Sequence, residues 1–390
     1  MIEEDAKIGI VGAGTMGAGI AQVAATHGHP VFLYDAFPEQ LEKAENGLKK
    51  ILVRQVEKGR MTQNEIDEIL FKIEFVDNIT MFGECSFVIE AVVEDPNVKK
   101  DVFARLEAIV SRNCILASNT SSLSIASISS SLKKPERFLG VHFFNPAPLM
   151  KLVEIIPGIA TDEEITKSTR SFIDGWGKTT VLAKDTPGFI VNRVARPFYG
   201  EALRILEEGI ADAATIDWAV KEIGGFRMGP FELMDLIGHD VNYEVTSTVF
   251  EAFYYDPRFK PSFAQKRLVE AGWLGRKSGR GFYKYGEDAK NSKPVTDKEP
   301  GTEIFNRILV MLINEACDAV FMNIGSVEDV DLAMENGVNY PKGLLKWADE
   351  IGLDEVLAQI EILQNEYGED RYRPNPLLKK MVREGKKFYE

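Results

Sequence analysis

Residues Lys7–Gly28 read KIGIVGAGTMGAGIAQVAATHG. A short apolar run, Ile8–Val11, leads into glycines at 12, 14 and 17, and small residues then continue to Gly28. The pattern predicts a buried strand, a tight turn and a helix. The three glycines have separate reasons: Gly12 permits the turn, Gly14 lets backbone approach a pyrophosphate, and Gly17 lets helix and strand pack closely. The helix N-terminus, at Thr15 and Met16, offers free N–H groups and the positive end of its dipole to phosphate. The next apolar run, Pro30–Asp35 (PVFLYD), ends in an acid. Asp35 can accept from a ribose 2′-hydroxyl and would repel a 2′-phosphate. Ala36, Phe37 and Pro38 supply no cation to offset that repulsion, so the motif reads as a site for NAD, not NADP.

Outward from this unit the alternation continues. Ser86–Val92 (SFVIEAV) and Cys114–Asn119 (CILASN) are apolar runs of the kind found in central parallel strands, with a helical pattern after Pro96 between them. This predicts a doubly wound α/β domain, residues 1–184, whose ligands bind beyond the carboxyl ends of its strands. Glu90, Glu94 and Asn119–Ser122 fall at such ends. Between Asp35 and Ile73 two helical patterns (38–72) replace a simple crossover, with Thr62 and Glu65 spaced as a capping box. The first helix carries Lys43, Lys49, Lys50, Arg54 and Lys58, with Arg60 just beyond it. This is either a solvated face or a phosphate-binding arm for a large anionic substrate.

The chain has four histidines. His27 and His29 lie in the ATHGHP loop and read as surface residues without a third metal ligand; no metal is expected. His142 follows an apolar strand within Val141–Ile156, VHFFNPAPLMKLVEII. If NPAP reverses the chain between strands 138–144 and 151–156, and the turn centres near Pro148, His142 falls opposite Glu154. The carboxylate would orient the imidazole and steady the charge it takes on with a proton. A nicotinamide beside a histidine–glutamate pair oxidises an alcohol, hydride leaving carbon while the imidazole takes the hydroxyl proton.

These segments together resemble the L-3-hydroxyacyl-CoA dehydrogenase family. The likeness runs from residue 6 to about 285 and is carried by GAGTMGAGIAQVAA, NTSSLSI, GVHFFNPAPLMKLVEII, KDTPGFIVNR and GPFELMDLIG. The resemblance implies that His142 is the catalytic base, Glu154 its partner, Ser121 the contact to the substrate hydroxyl, and Asn192 a further group of the same site. It implies NAD contacts at Asp35, Glu94, Lys99, Ser121 and Asn145, beside Gly12, Gly14, Thr15, Met16, Gly17 and Asn119. Coenzyme A would meet the basic arm through Lys58, with Arg54 nearby. Ile51 stands where the family sometimes has a serine. The amides of Asn145 and Asn192 can bond the thioester carbonyl or its water.

Past the DTPGF joint (Asp185–Phe189) the patterns turn helical, with a long helix over 190–208. The domain 185–286 closes on the basic turn LGRKSGRGFYKYG, and the polar stretch 287–301 reads as a linker. Residues 302–390 then echo the helical domain. Offset by 114, residues 192–240 and 306–354 share twelve identities in 49 positions, where ordinary composition gives roughly three. The expected architecture is therefore a Rossmann-type α/β domain followed by two tandem, duplicated all-α domains. His239 becomes Leu353, the basic turn has no visible counterpart, and Asn306 has no second dinucleotide domain to serve. Such a repeat could fill, within one chain, the interface of a dimer; monomer with internal pseudo-dimer and homodimer both fit.

The net charge of −14 argues against nucleic acid and anionic membrane as partners. Three scattered cysteines, no apolar run of spanning length and an acidic N-terminus point to the cytoplasm. Three functions are in competition: a 3-hydroxyacyl-CoA dehydrogenase acting on 3-hydroxybutyryl- or 3-hydroxyadipyl-CoA, a dehydrogenase of free β-hydroxy acids, and a non-catalytic NAD-binding protein. The second uses a lysine base, for which no matching motif is present. The joint presence of His142, Glu154, Ser121 and Asn192 speaks against the third.

Overall fold

The structure is a computed structural model, and it describes residues 2, 3 and 5–389. The chain divides into two compact units, Met1–Phe189 and Ile190–Glu390.

The first unit is built on one eight-stranded sheet. Its strands are β1 (Ile8–Val11), β2 (Val31–Tyr34), β3 (Ile73–Val76), β4 (Phe87–Glu90), β5 (Ile115–Ser118), β6 (Phe138–Phe143), β7 (Leu152–Pro157) and β8 (Thr179–Leu182). They lie in the order β3-β2-β1-β4-β5-β6-β7-β8. The first six run parallel, β7 turns antiparallel to β6, and β8 follows β7 in parallel. The order 3-2-1-4-5-6 is that of a dinucleotide-binding fold. Every residue of β1, β4 and β5 is buried, as strands covered on both faces require.

Helices α1 (Thr15–Thr26), α2 (Pro38–Glu57), α3 (Gln63–Phe71), α4 (Pro96–Ile109), α5 (Ile125–Ser129) and α6 (Glu163–Asp174) complete the unit. Small buried residues let α1 sit close to the sheet: Gly17, Gly19, Ala21 and Ala24. The arm is the pair α2 and α3. Leu41, Ala44, Leu48 and Leu52, spaced by three or four, form the buried stripe of α2. Thr62 and Glu65 make the reciprocal capping box at the start of α3. The unit ends a few residues beyond the boundary read at 184, because Asp185 is tied into it. Its carboxylate accepts from the N–H groups of Ile125 and Ala126 (3.0 and 2.8 Å) and from Ser124 Oγ, capping α5. His29 is not a surface residue: it is buried against Phe172 and Trp176, with Nδ1 3.1 Å from the Ala6 carbonyl.

The second unit is helical. Its central helix, Lys298–Phe321, buries residues on every side. That helix begins inside the stretch read as a linker: the Asp297 side chain accepts from the Glu299 N–H, and Pro300, in the first turn, has no N–H to lose. The single helix expected over 190–208 is two, Val191–Val194 and Arg196–Glu207. Pro197 lacks the N–H that would bond back across the break, so the chain restarts there. Hydrogen bonds recur with arginines and acids offset by 114, though in the last pair below the donors are offset by 106. Arg193 Nε bonds Glu315 Oε1 at 2.7 Å, and Arg307 Nε bonds Glu201 Oε2 at 3.1 Å, so each arginine reaches the other segment's glutamate. Asp217 accepts from the N–H groups of Phe231 and Glu232, and Asp331 from those of Leu345 and Lys346. Asp235 receives the Phe282 and Tyr283 N–H groups, and Asp349 those of Phe388 and Tyr389. The last pair does have a counterpart to the aromatic end of the basic turn, which the sequence comparison had not shown.

Among the described residues no helix is long and apolar enough to cross a membrane. Nor is any group of three or more His, Cys, Asp or Glu placed to hold a metal.

Candidate active site

Because β1, β2, β4, β5 and β6 run parallel, their carboxyl ends emerge at one edge of the sheet. That edge gathers the glycine turn after β1, Asp35 after β2, Glu90–Glu94 after β4, Asn119–Ser122 after β5 and His142 at the end of β6.

The glycine turn has the shape a pyrophosphate needs. Gly12 has φ of 104°, and a Cβ there would strike the Ala91 carbonyl. A Cβ on Gly17 would collide with the Gly12 carbonyl oxygen. Gly14 differs: a Cβ there would meet nothing within 4 Å, so space lies open in front of the helix. No side chain caps α1 and no acid stands in its first turn, which leaves its N–H groups and dipole to a ligand. Gly14 and Thr15 are exposed, Met16 half-buried. Asp35 accepts from the Ala13 N–H at 2.7 Å and the Phe37 N–H at 3.0 Å, which fixes the acid beside the turn. These residues fit a dinucleotide.

At the end of β4 one ammonium serves two carboxylates. Lys99 Nζ lies 2.7 Å from Glu90 Oε1 and 3.2 Å from Glu94 Oε2, and the residue is 1% exposed. Glu90 also accepts from Ser118 Oγ and the Val92 N–H, each at 2.7 Å. Glu94 Oε1 accepts from Thr120 Oγ1 (2.6 Å), the Ser121 N–H (2.9 Å) and Ser121 Oγ (3.2 Å). The two acids end on opposite sides of the usual range. Burial lifts the Glu90 carboxyl despite Lys99. For Glu94 burial is outweighed by Lys99 and the donors of the Thr120–Ser121 turn, and its carboxyl is held low. Lys99 thus faces inward onto this network.

The hairpin β6–β7 pairs Val141 with Ile155, His142 with Glu154 and Phe143 with Val153. His142 Nδ1 and Glu154 Oε2 are 2.7 Å apart, the residues 6% and 0% exposed. Nε2 is the ring's remaining nitrogen. Phe144 and Phe189 flank the imidazole, with centroids at 4.5 and 5.9 Å. Asn119 Oδ1 accepts from the Phe143 N–H at 2.8 Å and ties the β5 end to this strand. Asn145 is exposed on the reversal that follows.

Three supports of this hairpin escaped the sequence reading. Lys178 Nζ donates to the carbonyls of Ala147 (2.6 Å) and Met150 (2.8 Å), pinning the reversal, and burial brings its pKa down to about 8. Nothing local marks that lysine; only the unpaired carbonyls of the NPAP turn could have called for a donor. Gly19 on α1 leaves little room for a side chain, since a Cβ would sit 3.3 Å from Ala147 Cβ and Pro148 Cδ. The glycine helix and the histidine hairpin are therefore packed together. A fourth glycine in the motif was the signal. Phe189 adopts φ of 45°, rare for an aromatic residue, in placing its ring beside His142.

Arg54 and Lys58 are exposed, one turn apart at the C-terminal end of α2, with Ile51 also exposed. Asn192 belongs to the second unit, in the helix Val191–Val194. A cavity of about 740 Å³ lies wholly in the second unit against Ile210, Ile304, Asn306 and Ile362, and none of the residues read as catalytic or cofactor-binding borders it.

Residues 7–186 match the profile of the 3-hydroxyacyl-CoA dehydrogenase NAD-binding domain, and residues 188–285 and 304–388 that of the 3-hydroxyacyl-CoA dehydrogenase C-terminal domain. The 3-hydroxyadipyl-CoA dehydrogenase of Escherichia coli K12 is 38% identical, over 95% of this chain and 96% of that protein. The crystal structure of 3-hydroxybutyryl-CoA dehydrogenase from E. coli K12 superposes with a TM-score of 0.91 at 37% identity, covering 97% of this chain and 98% of the other. The (S)-3-hydroxybutyryl-CoA dehydrogenase of Ralstonia eutropha gives a TM-score of 0.69 at 36% identity, over 72% of this chain and 99% of that one. Against the fatty acid oxidation complex alpha subunit of Psychrobacter arcticus the identity is 38%, but this chain spans only 52% of its length.

Proposed function

The chain belongs to the 3-hydroxyacyl-CoA dehydrogenase family, and from that premise we propose how its own residues carry out the NAD-dependent oxidation of a 3-hydroxyacyl-CoA. NAD, when bound at the glycine turn, supplies the acceptor for the hydride that leaves C3. His142 takes the hydroxyl proton on Nε2, while Nδ1 keeps its proton in the bond to Glu154. The Glu154 carboxylate offsets the imidazolium charge as it forms. Ser121 Oγ meets the carbinol oxygen. Glu94, held as a carboxylate, sets the serine turn in place, with Lys99 behind it as a positioning residue. Asn119 positions the strand that bears His142. Asn145 and Asn192 bond the thioester carbonyl or its water, the latter assigned from its PGFIVNR segment. Arg54 and Lys58 meet the phosphates of coenzyme A.

The observation that carries this reading is the His142–Glu154 pair at 2.7 Å, on the same sheet edge as an uncapped helix N-terminus with open space before it. The proposed substrates are short: 3-hydroxybutyryl-CoA or the dicarboxylic 3-hydroxyadipyl-CoA, after the relatives that carry those names. NADH oxidation with acetoacetyl-CoA, beside acetoacetate without coenzyme A, is the test. Turnover of the thioester alone supports the reading. Turnover of the free acid would move the chain to β-hydroxy acids, and no turnover of any 3-ketoacyl thioester would leave a non-catalytic NAD-binding protein.

We also read the second unit as a duplication of one helical domain. The C-terminal domain profile covers two separate stretches, 188–285 and 304–388, and the exchange Arg193–Glu315 against Arg307–Glu201 has the reciprocity of a two-fold interface. The chain is then a monomer with the pseudo-dimer inside it, in the cytoplasm. Removal of residues 291–390 should strip Arg193 of Glu315 and Asp318 and yield a dimer or an unstable chain. A truncated protein that is monomeric and equally heat-stable sinks this proposal.

A further inference from the structure

Among the described residues Arg196 is a buried cation without an anion. It is 7% exposed. Nη1 donates to Thr246 Oγ1 at 3.2 Å, the guanidinium lies over the Tyr199 ring with its carbon 4.9 Å from the centroid, and Nε has no hydrogen-bond partner. The ionisable groups acting on it are the hydroxyls of Tyr199 and Tyr340, not carboxylates. The Tyr340 hydroxyl is itself buried without a partner. Other arginines of this unit are matched. Arg193 pairs with Glu315 and Asp318, Arg258 with Asp256, Glu315 and Asp318, and Arg307 with Glu201 and Glu208. An uncompensated buried charge is costly enough that proteins pair, hydrate or neutralise it, and a guanidinium does not give up its proton.

The space to pair it is present. Arg196 lines a cavity of about 20 Å³ with Thr246, Arg258, Lys260, Ser262 and Gln265. No aspartate or glutamate borders it. About 10–15 Å³ measured this way holds one water, so the cavity takes a group only slightly larger. Arg258 is already paired with its carboxylates and Lys260 is exposed, so the charge left uncompensated at this cavity is that of Arg196, beside the neutral hydrogen-bonding side chains of Thr246, Ser262 and Gln265.

We propose that Arg196 and this cavity form a binding site for a small monoanionic group, a carboxylate or a halide. Two sources could supply it: a free anion from solution, or the far carboxylate of a dicarboxylic acyl thioester. The second source rests on the dehydrogenase reading. It accords with a relative named for 3-hydroxyadipyl-CoA.

Two measurements on the full chain test the site. In the first, chloride replaces the anion of MOPS, a bulky sulfonate that carries no carboxylate, at fixed ionic strength. The midpoint of thermal unfolding should rise by about 2–4 °C if chloride binds with the free energy of an ordinary weak site. That rise should vanish in Arg196→Met and persist in Arg196→Lys. In the second, kcat/KM is measured for 3-oxoadipyl-CoA and for acetoacetyl-CoA with NADH. If the substrate carboxylate is the occupant, Arg196→Met lowers the ratio of the two by about 10–100-fold, the worth of a charged hydrogen bond, and Arg196→Lys recovers part of it. A chloride effect without a change of ratio assigns the site to a free anion. A loss of ratio assigns it to the substrate. Neither effect means that water alone fills the cavity, and the proposal is wrong. If the unaltered enzyme reduces neither thioester, it is the dehydrogenase reading that has failed, and the thermal measurement still judges the site.

Discussion

Replacing Glu154 by glutamine changes one atom in a fully buried side chain and asks what the charge contributes. The carboxylate oxygen lies 2.7 Å from His142 Nδ1. At that separation, with an effective dielectric constant of about 20, an imidazolium and a carboxylate attract by ~6 kcal/mol. The attraction is absent while the ring is neutral and present once it holds the substrate's proton, so it acts on the reaction and not on resting binding. Losing all of it would slow catalysis by about 10⁴. Losing only the difference between a charged and a neutral hydrogen bond, about 1–2 kcal/mol, would slow it by about 10-fold. The amide adds a second fault. If it turns its NH₂ toward Nδ1, the ring proton moves to Nε2 and the base can no longer accept. The expected fall in kcat is therefore about 10²–10⁴, measured as acetoacetyl-CoA-dependent NADH oxidation. NADH affinity, by fluorescence titration, should stay within about threefold, because no cofactor contact is assigned to Glu154 and the retained affinity shows that the fold survives. His142→Gln should do as much damage, and the double variant should do no more than His142→Gln alone, since the two act as one unit. A fall in kcat below tenfold, or a loss of NADH binding with turnover intact, would show that this carboxylate has been given the wrong task.

Arg307→Met leaves Glu201, 2% exposed, short of one of its two arginines, and should destabilise the second unit by about 3–5 kcal/mol in urea unfolding; a loss under 1 kcal/mol would mean that Arg371 compensates. Gly19→Val should press on Ala147 and Pro148, 3.3 Å from the new Cβ, and lower kcat more than it raises the Kd for NADH, as measured side by side. Unchanged kcat would show that the glycine helix and the histidine hairpin can part without consequence. Burial raises Asp217 to about 7, against its three donors, from 3.8. The folded chain thus holds a proton there that the unfolded chain has released, and the associated stability, full below about pH 4, is lost as pH rises through 7. Asp217→Asn, which mimics the protonated acid, should gain on the wild type in Tm from pH 5 to pH 8, and a constant difference across that range would refute the assignment.

What could be read beforehand followed from periodicity and from fixed backbone relations. The glycine spacing required a strand on one side and a helix on the other. The alternation of runs required a parallel sheet, and a parallel sheet carries all its strand ends to one edge. The constant sum of residue numbers in a hairpin was enough to set His142 against Glu154 before any coordinates. What escaped has a different character. Lys178 and Gly19 matter through groups brought from distant segments, and although Glu90, Glu94 and Lys99 could be named singly, the sharing of one buried ammonium by two carboxylates could not. The linker was misjudged because polar residues and a proline look alike in a loop and in a capped first turn; only the Asp297 cap distinguishes them. His29 was misplaced because a histidine between a glycine and a proline reads as exposed, while Phe172 and Trp176, which cover it, lie far along the chain. Arg196 shows the limit most plainly. A sequence displays a cation in a helix, and its apolar neighbours suggest burial, but the lack of an acid beside it is a property of the folded surroundings. Within one unit Arg193, Arg258 and Arg307 each found carboxylates from distant positions, and Arg196 found two tyrosines and a threonine. The same folding that neutralises three guanidinium groups leaves the fourth facing a cavity, and a charge so placed is where an outside anion has most to gain.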